Sequence, residues 1–150
     1  MIGLITSFKD SLINRLFIML VSFLEIILQP LLLLAIRLWM ARIFWHSAMT
    51  KISDWQSTIF LFKEEYKVPI ISPEHAAYLA TATEIAAPIL LTIGFMSRLA
   101  SLSMLAMTIV IQLTYLDFQE HFYWMFLLLT IICFGSGKIS LDYIVIKQIK

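Results

Sequence analysis

Long runs of apolar residues dominate the chain, and four of them approach the length of a membrane-spanning helix. A span needs about 20 predominantly apolar residues, because the hydrocarbon core of a bilayer is about 30 Å thick. The runs are Pro30–Met49, His75–Phe95, Arg98–Leu116 and His121–Phe134, of which the last is short but dense. Lipid offers the backbone no hydrogen-bond partner, so each run is predicted to be helical. The pattern predicts an all-α, polytopic membrane protein with a bundle of four transmembrane helices.

The segment before these runs has a different pattern. Four polar residues lie at spacings of seven, three and four, and so share one stripe of a helix: Arg15, Ser22, Glu25 and Gln29. Apolar residues cover most of the rest, which is typical of an amphipathic helix lying in the membrane interface. Pro30 is expected to break this helix from the first span. An alternative stays open, in which the first span begins near Leu16 and contains Glu25 and Pro30.

The predicted organisation has three parts: an interfacial amphipathic segment at 1–29, a transmembrane domain at 30–143 and a tail at 144–150. Cytoplasmic loops carry an excess of Lys and Arg. The two ends of the chain and the loop after the second span contribute Lys9, Arg15, Arg98, Lys138, Lys147 and Lys150. The other side contributes Lys51, Lys63 and Lys67. Both termini, and the tail, are therefore predicted to be cytoplasmic, with the 50–73 segment outside and holding a short surface helix.

Composition strengthens the membrane prediction. Of 150 residues, 61% are hydrophobic and 14% are charged, whereas soluble domains have about 45–50% apolar and about 25% charged residues. A chain of this size could not bury so much apolar surface in water, so the lipid bilayer is its predicted partner. The net charge of +1 gives no basic field for nucleic acid, and no such partner is expected. Cys133 is the single cysteine, which excludes an intrachain disulfide.

Ionisable residues inside the predicted spans are the best candidates for a site. A charge near the bilayer centre costs about 2.5–3.5 kcal/mol even on the lenient insertion scale. Glu84 is the acidic residue placed deep in a span, and it is expected to pair with Arg37 or Arg42 on the preceding span. This pair either locks two helices together or borders a polar cavity for a ligand head group or a proton path. Both interpretations stay open.

Further candidates lie at the predicted outer rim and along the helix faces. His46 and His121 could face each other across the bundle, where two imidazoles could ligate a haem or donate to a quinone carbonyl. No metal site is predicted, because no carboxylate–histidine cluster has ligand spacing. Four residues are predicted to lie at helix interfaces: Thr81, Pro88, Thr108 and Gln112.

Three stretches of the chain resemble the DoxX family of small bacterial membrane proteins: residues 38–55, 71–102 and 120–143. The family pattern has a first span with Arg followed by a Lys, a second with Glu before Pro, an Arg opening the third, and a Gly-x-Gly-x-x-Ser-x-Asp close. The matching residues are Arg37, Arg42, Lys51, Glu84, Pro88, Arg98, Gly135, Gly137, Ser140 and Asp142. The resemblance covers about 31 to 143, and it rests on the order and spacing of these features together.

The resemblance implies four transmembrane helices in the bacterial inner membrane. The founding context of the family is a membrane subunit of an oxidase complex that passes electrons from thiosulfate to quinone. The first hypothesis is therefore a subunit associated with quinone-linked redox chemistry, in which Arg37, Arg42, His46, Glu84 and His121 line a polar cavity. The second hypothesis is a non-catalytic membrane partner or small transporter, because other members stand beside enzymes that modify ribosomally made peptides. Its partners would be another membrane or periplasmic protein, docked on the 50–73 loop, or further copies of the chain.

Overall fold

The computed structural model describes residues 12–66, 70–114 and 119–149, and every regular element in these ranges is helical. The all-α prediction is confirmed for this part of the chain. The α-helices are α1 (Leu12–Phe23), α2 (Gln29–Ser53), α3 (Trp55–Leu61), α4 (Pro73–Ile93), α5 (Ser97–Thr114), α6 (Gln119–Phe134) and α7 (Leu141–Ile149). A π-helical turn, Leu24–Leu28, joins α1 to α2, and a second, Phe62–Tyr66, follows α3.

The first two helices and the π turn between them form one continuous helix, Leu12–Ser53. The predicted break at Pro30 is therefore wrong. Proline lacks an N–H, and its ring clashes with the carbonyl four residues back in a regular α-helix. The π turn just before it widens the backbone, and the N–H of Gln29 donates to the carbonyl of Leu24, five residues back. The helix thus passes through the proline without ending.

This continuous helix is longer than a membrane is thick. Its 42 residues extend about 63 Å at 1.5 Å per residue, twice the ~30 Å of a hydrocarbon core. None of the side chains of α1 is buried against the bundle, so this part of the helix projects away from the other elements. The interfacial placement of 1–29 stays a prediction, and residues 1–11 lie outside the described residues.

Helices α2, α4, α5 and α6 pack around one apolar core. Small side chains at the contacts let the helix backbones approach closely. The large side chains of the core are Ile36, Met40, Phe44, Leu91, Met104, Leu105, Leu128 and Ile131, and the small ones are Ala41, Ala87 and Ala100. Within the described residues, three helices are long and apolar enough to span a membrane: Leu12–Ser53, Pro73–Ile93 and Ser97–Thr114. Helix α6 is apolar but has only 16 residues.

A buried arginine closes the end of the bundle where α4 turns into α5. The Arg37 side chain is 1% exposed; it donates through Nη1 to the carbonyl of Leu91 at 3.1 Å and through Nη2 to the carbonyl of Ile139. Gly94, in the left-handed conformation at φ 70°, forms the α4 C-cap beside it. This guanidinium therefore ties α2 to α4 and to the segment before α7.

Asp142, in the C-terminal part of the chain, stabilises the same end of the bundle. Its carboxylate accepts hydrogen bonds from the backbone N–H groups of Met96 at 2.7 Å and Ser97 at 3.1 Å, where α5 begins. Its own N–H donates to the carbonyl of Gly94 at 2.9 Å. A carboxylate at a helix N-terminus satisfies backbone donors that lack partners in the helix. The Arg37 and Asp142 contacts give the Gly135–Asp142 segment a structural role.

Candidate functional site

The site is built around a buried ion pair between α2 and α4. The Glu84 side chain is 2% exposed and that of Lys51 is 13% exposed. The Lys51 Nζ lies 2.8 Å from Oε1 and 2.9 Å from Oε2 of Glu84. Ser47, one turn before Lys51, accepts from Nζ at 2.9 Å and donates to Oε1 at 3.1 Å. A three-residue polar network thus joins two charged side chains inside the bundle.

The predicted partner of Glu84 was wrong, because the carboxylate pairs with Lys51 instead of Arg37 or Arg42. The spacing of the residues on one face of α2 explains this pairing. Leu33, Arg37, Met40, Phe44, Ala48 and Lys51 follow one another at intervals of four, three, four, four and three, the interval of a single helical stripe. Arg42 is off this stripe and is exposed. Arg37 is on it, but is held by carbonyl groups at the other end of the bundle.

A cleft of about 660 Å³ opens on one side of the ion pair; it is called the polar cleft below. Its walls come from α2, α3, α5 and α6, with Glu84 of α4 and Tyr66 of the second π turn. Many of its residues carry hydroxyl, imidazole or charged groups, among them His46, Ser47, Thr50, Lys51, Asp54, Ser57, Thr58, Glu84, Thr108 and His121. The structure therefore brings His46, Glu84 and His121 to one cleft, together with Lys51.

His121 is oriented within the polar cleft by a neighbouring helix. Its side chain is buried, and its Nδ1 lies 2.6 Å from Oε1 of Gln112 on α5. An amide oxygen only accepts, so Nδ1 carries the proton and donates in this contact. The imidazole also lies beside the indole of Trp124, with ring centroids 5.0 Å apart. Gln112 thus links α5 to α6 and orients a cleft histidine.

A second cleft of about 260 Å³ reaches the ion pair from another side; it is called the apolar cleft below. It lies between α4, α5 and the Phe62–Tyr66 turn. Apart from the ion pair, its lining consists mainly of Phe62, Tyr66, Ile71, Ala76, Leu79, Ala80, Ala106, Met107, Val110 and Ile111. One buried ion pair is therefore bordered by a polar space and by an apolar one.

The remaining predicted residues lie elsewhere in the helix contacts. Arg42 and Pro88 line a third, shallow cleft between α2 and α4. Thr81 is buried, and its hydroxyl has no hydrogen-bond partner within the described residues. Thr108 is buried as well; it donates to the carbonyl of Met104 at 2.9 Å and lines the polar cleft. Neither Arg37 nor Arg42 reaches the polar cleft.

Asp54 forms the rim of the polar cleft and the N-cap of α3. Its carboxylate accepts from the Ser57 hydroxyl at 2.6 Å and from the Ser57 N–H at 3.0 Å. These two hydrogen bonds stabilise the charged form and lower the pKa of Asp54 below its ordinary value. Helix α3 confirms that the 50–73 segment contains a short helix, while its placement at the membrane surface stays a prediction.

This cap predicts a pH-dependent weakening of α3. Because the pKa of Asp54 is lowered in the folded protein, the cap stabilises α3 above the unfolded pKa of about 3.9 and is lost as pH falls through the folded value. Protection of the α3 amides against hydrogen exchange, corrected for intrinsic rates, is expected to drop below about pH 3.9. In Asp54→Ala the protection is expected to be low throughout and free of this step. An unchanged step in that variant would contradict the assignment.

The fold and the site together define a helical membrane protein whose bundle core holds an ion pair bordered by two clefts. The sequence model of the DoxX family matches residues 32–116, more than half of the chain. The chain therefore belongs to the DoxX family. The matched region contains Lys51 and Glu84, whereas the Gly135–Asp142 part of the resemblance lies beyond it. No curated protein and no solved structure matches the chain.

Proposed function

We propose that this protein is an inner-membrane component of quinone-linked redox chemistry, and that the polar cleft holds the quinone ring. The observation that carries the proposal is the Lys51–Glu84 ion pair at the edge of the cleft. Ionisable side chains inside a membrane protein are costly, and they commonly mark sites of ligand binding or proton transfer. A buried ion pair adds little stability compared with well-packed apolar residues, so stability alone does not account for this one.

The size and donor groups of the cleft fit a quinone ring. Small-molecule sites are commonly about 300–1,000 Å³, and the polar cleft has about 660 Å³. A quinone presents two carbonyl oxygens, which accept hydrogen bonds. The donors of Lys51, Ser47 and Thr108 are engaged within the protein. The imidazole of His46 and the indole N–H of Trp124 also line the cleft and can donate to these oxygens. These residues would orient the ring.

The same cleft holds groups suited to proton exchange. A quinone takes up two electrons and two protons on full reduction, which is the chemistry that the bound group would supply. His46 lies on the exposed side of α2 and lines the cleft, and imidazole side chains commonly act as proton shuttles. Glu84 would hold or accept a proton beside Lys51. Electrons would reach the ring from a partner protein, because the side chains of lysine, glutamate and histidine are not redox-active.

The proposed membrane arrangement has four crossings, with α6 as the fourth, and both termini in the cytoplasm. The distribution of Lys and Arg supports this arrangement. More lysines and arginines flank the end of the bundle near Arg37 than the end near Lys51, and cytoplasmic loops carry the excess. In this arrangement the polar cleft faces the outer surface, near α3. Short helices such as α6 are accommodated by local thinning of the bilayer or by flanking residues that reach the interface.

A non-catalytic partner role is the second candidate. The observation in its favour is the outer face of α3 and the following turn, where Phe60 is 62% exposed next to the charged residues Lys63, Glu64 and Glu65. An exposed aromatic ring bordered by charges is typical of a protein-binding surface. In this case the ion pair would only organise the bundle, and the clefts would hold lipid or water.

Quinone content of the purified protein separates the two candidates. We expect the wild type, extracted in mild detergent, to carry about one quinone per chain by native mass spectrometry and solvent extraction. The double variant Lys51→Met, Glu84→Gln removes both charges and is expected to lower quinone occupancy about tenfold, which corresponds to 1.4 kcal/mol of binding. Arg42→Gln, which removes an exposed charge outside both clefts, is the matched control and should retain it. A wild type that stays empty and does not bind added quinone would refute the proposal.

A further inference from the structure

Two clefts of opposite character meet at the ion pair. The polar and apolar clefts share four lining residues: Lys51, Tyr66, Glu84 and Ile111. On one side of these residues the walls carry imidazole and hydroxyl groups, and on the other side they are alanine, aromatic and aliphatic. A ligand that fills both spaces must therefore be polar at one end and apolar at the other.

The apolar cleft is open toward the outside of the bundle. Leu79 on α4 and Val110 on α5 stand at its rim and are exposed, and in a membrane their surroundings are acyl chains. Ala80 and Ala106 contribute a single methyl group each to the cleft wall. Small side chains on two facing helices leave a gap where a larger residue would close the contact. The cleft therefore connects the ion pair with the lipid phase between α4 and α5.

We infer that this cleft takes the apolar chain of an amphiphilic ligand whose ring or head group lies in the polar cleft, so that the ligand reaches the site sideways from the bilayer. The inference rests on the proposed function for the identity of the head group, and it adds a specificity element, namely a requirement for a single long apolar chain. The occupant follows from the continuity of the two clefts, because a chain leaving the ion pair through the α4–α5 gap stays out of water along its whole length. Burial of each methylene favours binding by transfer from water.

The alanines determine whether the chain fits. Phenylalanine at position 106 would fill the apolar cleft without touching the charges, and phenylalanine at position 80 would do so from the facing helix. Ala82, on the same helix as Ala80, is exposed and does not line any of the clefts described above. Ala82→Phe is therefore a matched control for the added bulk and hydrophobicity.

The test compares two ligands on each variant. One is a benzoquinone with a decyl chain, and the other is the same ring without the chain; both are titrated into detergent-solubilised protein by quenching of tryptophan fluorescence. In the wild type and in Ala82→Phe, the decyl compound is expected to bind at least about tenfold more tightly, since burying two methylene groups alone gains about that much. In Ala106→Phe the two compounds are expected to bind equally, with the affinity for the chainless ring unchanged.

The outcomes separate this inference from the proposed function. If the wild type binds both rings but Ala106→Phe and Ala80→Phe keep the preference for the decyl compound, the chain does not use the apolar cleft and the inference is overturned. If the wild type binds neither ring, the proposed function fails and the inference fails with it. Should phenylalanine disturb the fold, seen as an altered thermal unfolding profile, Ala106→Leu and Ala80→Leu provide smaller steps. A partial loss of preference in these variants supports the inference, and no loss overturns it.

Discussion

Replacing Gly94 with alanine is expected to abolish stable folding of the bundle or to lower its unfolding free energy by about 2–5 kcal/mol. Gly94 adopts a φ of 70°, which L-residues with a side chain rarely adopt. A methyl group at this position would lie 2.1 Å from Nη1 of Arg37 and 2.6 Å from Cβ of Ser140. The guanidinium cannot move aside freely, because it donates to two carbonyl groups in a buried site.

Gly135→Ala is the matched control for this prediction. Gly135 has a similar φ of 78°, but the nearest atom to an added methyl group is 3.5 Å away, on Arg98. Gly135→Ala is therefore expected to show the backbone strain of about 1–2 kcal/mol, but no clash of the added methyl group with neighbouring side chains. The loss of stability in both variants is measured by thermal unfolding in detergent, monitored by the size-exclusion profile of the remaining folded protein. Equal losses in the two variants would show that backbone strain, and not the Arg37 closure, decides the effect.

Breaking the Lys51–Glu84 pair on one side only is expected to be more damaging than removing both charges. Lys51→Met leaves the Glu84 carboxylate buried without its cation, a change that commonly costs about 3–5 kcal/mol. The addition of Glu84→Gln removes the uncompensated charge and is expected to restore at least about 1.5 kcal/mol, within the usual range of coupling between contacting residues. The double variant is then stable enough for the quinone measurement proposed above.

A double-mutant cycle in a reversible unfolding assay checks this expectation. The four proteins are the wild type, Lys51→Met, Glu84→Gln and the double variant. Arg42→Gln serves as the control, because an exposed residue outside such networks is expected to change stability by about 0.5 kcal/mol or less. Strict additivity of the two substitutions would contradict the ion pair, and a comparably large loss in Arg42→Gln would show that the effect is not specific to the pair.

Arg37 and Lys51, the two cations of α2 that face the bundle, have different environments. This difference separates a structural role from the proposed functional one. The Arg37 guanidinium donates through its two terminal nitrogens to main-chain carbonyl groups at the closed end of the bundle, away from the polar cleft. Lys51 is satisfied by side chains at the edge of two clefts. A planar guanidinium with five fixed donors suits the first site, and a flexible ammonium suits the second. We therefore expect substitutions of Arg37 to affect folding, and substitutions of Lys51 to affect ligand occupancy as well.

The helical class and the positions of the apolar helices could be predicted because they depend on local properties. A bilayer requires internally satisfied backbone hydrogen bonds and a minimum apolar length, and both requirements can be read from runs such as His75–Phe95. The observed helices Pro73–Ile93 and Ser97–Thr114 lie close to the predicted limits. Pro30 was misjudged because the cost of a proline depends on the turn before it, and a π turn is not evident from residue types.

The sequence by itself determined that this is a helical membrane protein, that it resembles the DoxX family, and that Glu84 needs a cation inside the bundle. Only the tertiary structure decided which cation that is. The sequence favoured Arg37 or Arg42, because Lys51 lies just beyond the predicted first span. The actual choice depends on helix rotation and on the carbonyl groups that already hold Arg37. The meeting of a polar and an apolar cleft at one ion pair was likewise hidden in the sequence, because its walls come from residues far apart in the chain that only helix packing brings together.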